Sequence, residues 1–357
     1  MSDFSDLHDE LRSVAADLLA KEAAGSVPWT LLAQAGWTGL EVPDEFGGAG
    51  AGFRETAVIL EEIGRAAART GYLGGAGLAV GTLLALQPGA VRDALLSAIA
   101  EGAGAVAAAL SVDHEHLSTA APFAAATASA GWRLDGRSRF VPDADAQHLL
   151  LLAEDPTGEP VIVVVPSGSP GLTVTPQPVV DDTRRLAEVS ADDVTVEAAS
   201  LLRFAGDAQA QVRWLAARAE TAIACDSLGL AEAMLARTVS YVSVREQFGR
   251  PIGSFQAVKH ACADKLVRLA VSRQLVRRAV EAVADRDPEL TAAASAAKAY
   301  TCEAAVEIAG KAMQLHGGIG YTWESGVHVY LKRAMLNRAL FGSPAAHRRR
   351  LAEQFLT

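Results

Sequence analysis

Tyr241-Val242-Ser243-Val244-Arg245-Glu246-Gln247-Phe248-Gly249-Arg250-Pro251-Ile252-Gly253-Ser254-Phe255-Gln256 is the stretch on which the reading of the whole chain turns. A helical run ends at Arg245, a turn follows at Phe248-Gly249-Arg250-Pro251, and a second helix restarts near Phe255-Gln256. The corner presents a guanidinium, backbone amide donors and an aromatic ring together. That set suits a pyrophosphate joined to a flat ring, because Arg is a planar, permanent cation and amides at a helix end point at anions. A second stretch, Gln314-Leu315-His316-Gly317-Gly318-Ile319-Gly320-Tyr321-Thr322-Trp323-Glu324, sets paired glycines between helices, where a ligand can approach the backbone closely. Each stretch taken singly also reads as a plain helix-connecting turn. Their occurrence together narrows the reading.

Outward from these motifs the chain has three textures. Residues 5 to about 103 show Leu and Ala at three- and four-residue spacing, as in Ala57-Val58-Ile59-Leu60-Glu61-Glu62-Ile63. Val42-Pro43-Asp44-Glu45-Phe46-Gly47-Gly48 interrupts them, since Pro and Gly end helices. From about 104 to 200 the texture is strand-like. Leu149-Leu150-Leu151-Leu152 and Val161-Ile162-Val163-Val164-Val165 are short apolar runs bounded by Asp, Pro and Gly, and Asp193-Val194-Thr195-Val196 alternates. From about 204 the helical period returns almost to Thr357. The predicted class is α+β, with an N-terminal helical domain (1–103), a middle β domain (104–203) and a C-terminal helical bundle (204–357). No solenoid period is present.

The composition bounds the function. A chain of 357 residues, half apolar and 21% charged, forms a sizeable core, so wholesale disorder is excluded. Its 32 Lys and Arg stand against 42 Asp and Glu, a net charge of −10, which argues against a nucleic-acid or anionic-membrane binder. Cys225, Cys262 and Cys302 are too scattered for a disulfide framework or a zinc site, and a reducing cytoplasm is the simpler expectation. The N-terminus lacks the basic and apolar regions of a signal peptide. Thr70 to Val91 is uncharged and long enough to span a bilayer, but its six glycines, Gln87 and Pro88 read as a buried helix-break-helix segment. Gly48-Ala49-Gly50-Ala51-Gly52 and Gly74-Gly75-Ala76-Gly77 lack the preceding strand a dinucleotide loop requires. His114-Glu115-His116 reads as a solvated loop, and no metal site is expected.

At the two motifs above, the chain resembles the acyl-CoA dehydrogenase family, and the likeness extends over nearly its whole length. Gly36-Trp37 and Val42 to Gly48 look like that family's N-terminal signature, and Glu61-Glu62-Ile63-Gly64-Arg65 follows as expected. Gly131-Trp132-Arg133-Leu134-Asp135-Gly136 and Phe140-Val141 look like its middle-domain hairpin. The resemblance implies an N-terminal helical domain, a middle β domain and a C-terminal four-helix bundle. It also implies FAD as cofactor, shared between neighbouring subunits, and α,β-dehydrogenation of an acyl-CoA, with an electron-transfer flavoprotein as candidate acceptor. By that resemblance Arg245 would hold the pyrophosphate. Gln247 and Phe248 would line the dinucleotide with Gln256 beside them, and Gln314, Gly317 and Gly318 would receive the adenosine end. Such chemistry needs a carboxylate to remove the α proton and a polarised thioester carbonyl.

The chain departs from the family in three places. The usual base is a Glu just before a Gly; an ungapped count from Gly317 puts Phe341 there, and phenylalanine cannot take a proton. The alternative base position, on the first long helix of the C-terminal domain, falls on Ala219. Glu220 is one residue along, about 100° around the helix, and could serve only if the register differs; Asp226 is further along. Lastly, Ala109 to Thr119 lacks the Thr-Glu-Pro and Gly-Ser-Asp residues that hold the flavin in the family. The part of the cofactor site lent to a neighbour is therefore expected to be intact while the chain's own cradle is degraded. That asymmetry, with the Ala/Gly/Arg-rich composition and Leu331-Lys332-Arg333-Ala334, resembles actinobacterial heterotetramers tied to steroid or other bulky acyl-CoA breakdown. The expected function is the base-poor partner of such an enzyme, beside a paralogous subunit. The alternatives are a self-sufficient homotetramer using Glu220 and a flavin-free scaffold.

Overall fold

The computed structural model describes residues 5–21, 26–110, 119–129 and 131–356. Helices α1 (Ser5–Lys21), α2 (Trp29–Gln34), α3 (Phe53–Ala66), α4 (Val80–Leu84) and α5 (Ala90–Ala100) come first. A sheet follows, built from β1 (Val106–Ala109), β2 (Phe123–Ala128), β3 (Gly131–Pro142), β4 (His148–Glu154), β5 (Pro160–Pro166), β6 (Leu172–Pro176), β7 (Leu186–Val196) and β8 (Leu201–Arg203). The chain closes with α6 (Ala208–Val244), α7 (Gln256–Ala284), α8 (Leu290–His316), α9 (Val327–Ala339) and α10 (Pro344–Leu356). The helices–sheet–helices order is the α+β class the sequence predicts.

Sheet order is β6-β7-β3-β2-β4-β5-β8, with β1 added in parallel to β4. The apolar runs at 149–152 and 161–165 form neighbouring antiparallel strands, β4 and β5. Leu150, Leu152, Ile162 and Val164 face the main core shared with the helices, while Leu149, Leu151, Val161, Val163 and Val165 face a second core on the other side. Burial on both faces explains why these strands do not alternate with polar residues. In β7, Val194 and Val196 turn inward between exposed Asp193 and Thr195, as the alternation predicts.

Helix α6 is the axis of the molecule. Asp207 caps its start by accepting from the amides of Gln209 and Ala210. Two glycines set its crossing with α3. A Cβ on Gly64 would lie 2.0 Å from the Asp226 carbonyl oxygen, and one on Gly229 would lie 1.8 Å from that of Glu61. The helices thus meet backbone to backbone, an approach no larger residue permits.

The uncharged stretch at 70–91 is buried. Leu73–Ala79 is a π-helical turn running into α4, with Gly77 N donating to Tyr72 O. The widened turn leaves carbonyls for Arg218 of α6, whose Nε donates to Gly77 O at 2.7 Å. The fully buried Arg218 also forms a two-pronged pair with Glu41, at 2.8 and 2.5 Å. This joins the N-terminal helices to α6. Among the described residues, no helix is long and apolar enough to cross a membrane.

Candidate functional site

Helix α6 ends at Val244, and Arg245 leaves it in an extended conformation. Glu246–Gln247 then pair antiparallel with Arg250–Pro251. The two residues between, Phe248 and Gly249, both have positive φ (55° and 75°), the pattern of a tight hairpin whose second position favours glycine. The turn throws the Phe248 ring outward, 91% exposed, edge-on to Phe255. The Arg250 guanidinium lies 4.1 Å from the Phe255 ring centroid.

Opposite this corner, α8 ends at His316. Gly317 turns the chain with φ 61° and ψ −142°, a combination essentially reserved for glycine. The two corners enclose a cleft of about 340 Å³ walled by Tyr241, Arg245, Gln247, Ile252, Leu315, His316, Gly317, Gly318 and Ile319. Two motifs some seventy residues apart thus form one site. The Tyr241 ring stacks on His316, with centroids 4.4 Å apart and planes at 18°. Nδ1 of His316 lies 2.7 Å from the Ala312 carbonyl oxygen, which fixes the ring.

Of the expected cofactor residues, Arg245, Gln247, Gly317 and Gly318 wall the cleft. Phe248, Gln256 and Gln314 are exposed outside those walls; Gln256 meets His260 and Gln314 meets Lys311. Sequence reasoning did not assign Tyr241 and His316. The four-residue spacing of Tyr241 and Arg245 on one helix face could have pointed to the first. Among the described residues the Arg245 guanidinium has no partner, so a cation stands ready for an anion. A Cβ on Gly317 or Gly318 would meet nothing within 4 Å, so the backbone there is open to approach. Phe248, Tyr321 and Trp323, at 91, 73 and 78% exposed, add flat apolar faces around the corner. An unpaired guanidinium, bare glycine backbone and aromatic faces fit part of a dinucleotide with a pyrophosphate.

The candidate bases are placed differently. Phe341 sits in the turn between α9 and α10, 7% exposed and at φ 56°. Two buried side chains hold that turn: His347 Nε2 lies 3.0 Å from Phe341 O, and Lys298 Nζ donates to Gly342 O at 2.9 Å. Burial, with Lys298 and Arg350 nearby, pushes the His347 imidazole down to about 3, so it is neutral and can donate. Ala219 is buried. Glu220 points into this same cluster and accepts from Arg350 at 2.5 Å, with His347 Nδ1 4.0 Å away. Burial pushes its carboxyl up, against the pull of Arg350. Its placement is that of an interior ion-paired carboxylate. Asp226 is likewise engaged by Arg333, Arg184 and Asn337. Burial opposes its charge, but these partners outweigh burial and hold the carboxyl at about 2.

The middle-domain strand expected as a hairpin pairs as one: Ala128 of β2 lies opposite Gly131 of β3. The Phe140 amide donates to Gln177 Oε1, and Ser138 Oγ donates to Leu110 O. Residues 111–118, which hold most of the expected flavin cradle and the His114-Glu115-His116 loop, lie outside the described residues. Among the described residues no cluster of His, Cys, Asp and Glu could hold a metal ion.

The N-terminal domain model of acyl-CoA dehydrogenase matches residues 5–103, and its C-terminal domain model matches residues 209–356. The acyl-CoA dehydrogenase IpdE2 of Mycolicibacterium smegmatis is 34% identical over 329 residues, covering 92% of this chain and 88% of the relative. Among solved structures, a variant of the steroid ACAD Tcur3481–Tcur3483 matches with a TM-score of 0.85 and 28% identity over 99% of both chains. The ChsE4–ChsE5 complex from Mycobacterium tuberculosis shares the fold, with a TM-score of 0.88 and 24% identity over 98% of this chain and 97% of that one.

Proposed function

Because the chain belongs to the acyl-CoA dehydrogenase family, we propose that it is one subunit of an FAD-dependent enzyme for bulky acyl-CoA thioesters, whose catalytic carboxylate comes from a paralogous partner chain. One contrast carries this reading. The Arg245 cleft is open with its cation unpaired, whereas Phe341 fills the turn to which an ungapped count assigns the family's base, and Glu220 is taken up by Arg350. Arg245 would pair with the pyrophosphate, the Gln247 amide would hydrogen-bond beside it, and the bare backbone of Gly317 and Gly318 would admit the chain of the dinucleotide. The exposed rings around the corner would exclude water from the flat parts of the ligand. When bound, FAD supplies a hydride acceptor for the β hydrogen. Phe341 offers no proton acceptor, so this chain contributes binding and an apolar wall, and the partner contributes the base.

The bundle supports assembly. Along α7, Ala263, Leu266, Val267, Ala270 and Val271 share one face and lie exposed, Leu266 at 54% and Val267 at 65%. An apolar stripe at helical spacing calls for another subunit to cover it. The names of the relatives, steroid ACAD among them, favour a steroid-derived or similarly bulky acyl group. Co-expression of this chain with its paralogue tests the proposal. The pair should elute as about four chains and absorb near 450 nm, whereas this chain purified alone should be nearly colourless and inactive. A monomeric, colourless chain that recruits no flavin in the presence of the paralogue would count decisively against it.

A further inference from the structure

Helix α9 lies between two turns: Gly317–Tyr321 before it, which follows α8 and walls the cleft, and the Phe341 turn after it. The chain enters it from Gly317–Tyr321 through Ser325, whose carbonyl oxygen accepts from Arg237 at 2.8 Å and whose hydroxyl accepts from the Val327 amide. It leaves into Leu340–Ser343. At its middle is Arg333, 1% exposed. This one guanidinium reaches all three parts of the molecule. Nε donates to Asp226 Oδ1 on α6 at 3.0 Å, and Nη2 pairs with the second oxygen of the same carboxylate. Nη1 donates at 2.9 Å to Ala68 O, in the turn just after α3. It also donates at 2.9 Å to Thr183 Oγ1, in the middle-domain loop between β6 and β7.

The neighbours reinforce the arrangement. Asp226 accepts further from Asn337, one turn along α9, and pairs with Arg184 of the same middle-domain loop at 3.0 Å. Tyr330 of α9 donates to Arg65 O on α3 at 3.0 Å. A planar fork buried among a carboxylate, a carbonyl and a hydroxyl fixes orientation as well as distance, which neither a flexible ammonium nor an apolar side chain can do. We infer that Arg333 is a positioning residue: it locks α9 to α3, α6 and the middle domain, and so sets where the Gly317–Gly318 wall stands against Arg245. The link to the cofactor rests on the reading of the cleft given above. The lock itself does not.

The test compares Arg333→Met, Arg333→Lys and Thr183→Val, each in the co-purified complex and in the chain alone. Hydrogen exchange reads the lock without reference to flavin. Arg333→Met should speed exchange together at 181–184, 317–321 and 341–343, whereas Thr183→Val should loosen only the first. Flavin retention should fall roughly 2- to 30-fold in Arg333→Met, the usual scale for residues acting through others, and hardly at all in Thr183→Val. If Arg333→Met does not fold, Arg333→Lys carries the test, since it keeps the charge and loses the fork; it should show the same exchange pattern. Faster exchange confined to α9 itself, or a Met variant that retains flavin as well as wild type, overturns the inference. Should wild-type complex hold no flavin, the reading of the cleft falls, while the exchange pattern still decides the role of Arg333.

Discussion

Glu220→Gln keeps the shape of the side chain and removes its charge. In the fold, that charge lies 2.5 Å from Arg350, which is bonded to Ser295, and shares a buried cluster with Lys298. Removing one partner of a buried pair leaves the other charge uncompensated and costs about 3–5 kcal/mol. At roughly 2.1 cal/mol/K per residue, the 357 residues give an unfolding entropy near 0.75 kcal/mol/K, so the melting temperature should drop by about 4–7 °C. Turnover per bound flavin in the assembled enzyme should stay nearly constant, because Glu220 faces the interior cluster. Loss of a general base instead costs roughly 10²–10⁴-fold in rate. The assay is therefore paired: melting by calorimetry, and dehydrogenation of a bulky acyl-CoA normalised to flavin. A hundredfold loss of turnover with an unchanged melting temperature would refute the reasoning and make Glu220 the base. Activity of this chain without its partner, abolished by the same substitution, would return the self-sufficient homotetramer.

Arg245→Ala should weaken flavin retention by roughly 10- to 100-fold while circular dichroism stays unchanged, since it removes only charge-assisted bonds to the ligand; unchanged flavin occupancy would remove Arg245 from the site. Gly229→Ala should destabilise by about 3 kcal/mol or prevent folding, because its Cβ would stand 1.8 Å from the Glu61 carbonyl oxygen and force α3 from α6; denaturant unfolding reads this directly. His347 gives a pH dependence. Its folded value of about 3 lies below the unfolded value of about 6.5, so its neutral form favours the fold, and stability is lost as pH falls from about 6.5 toward 3. The loss between pH 7 and pH 5 should be about 2 kcal/mol, and His347→Asn should flatten that slope. A slope in the wild type that His347→Asn leaves unchanged would assign it to another group.

Much of this protein could be read along the chain because the relevant signals are local. Hydrophobic period, turn residues and apolar runs lie in contiguous stretches, so the order of helices, sheet and helices follows from them, as does the burial of 70–91. The two motifs that meet at the cleft are also local, and each carries its own glycines and turn. Their meeting was legible only through family resemblance, since nothing in residues 241–256 alone points to 314–324. What side chains face depends on distant partners. Glu220 differs from Ala219 by one step of helix, about 100°, and its role is set by Arg350, which is 130 positions away and arrives only when α10 docks. Phe341 is held by His347 and Lys298 in a left-handed turn that an ungapped count could locate but not shape. In sequence Arg333 reads only as part of the Leu331-Lys332-Arg333-Ala334 likeness, with nothing to mark its partners. Only the tertiary fold brings a carboxylate, a turn carbonyl and a threonine hydroxyl around it, from residues 226, 68 and 183. Periodicity is written in neighbours along the chain, whereas the satisfaction of a buried charge is decided by whichever distant groups packing brings within about 3 Å.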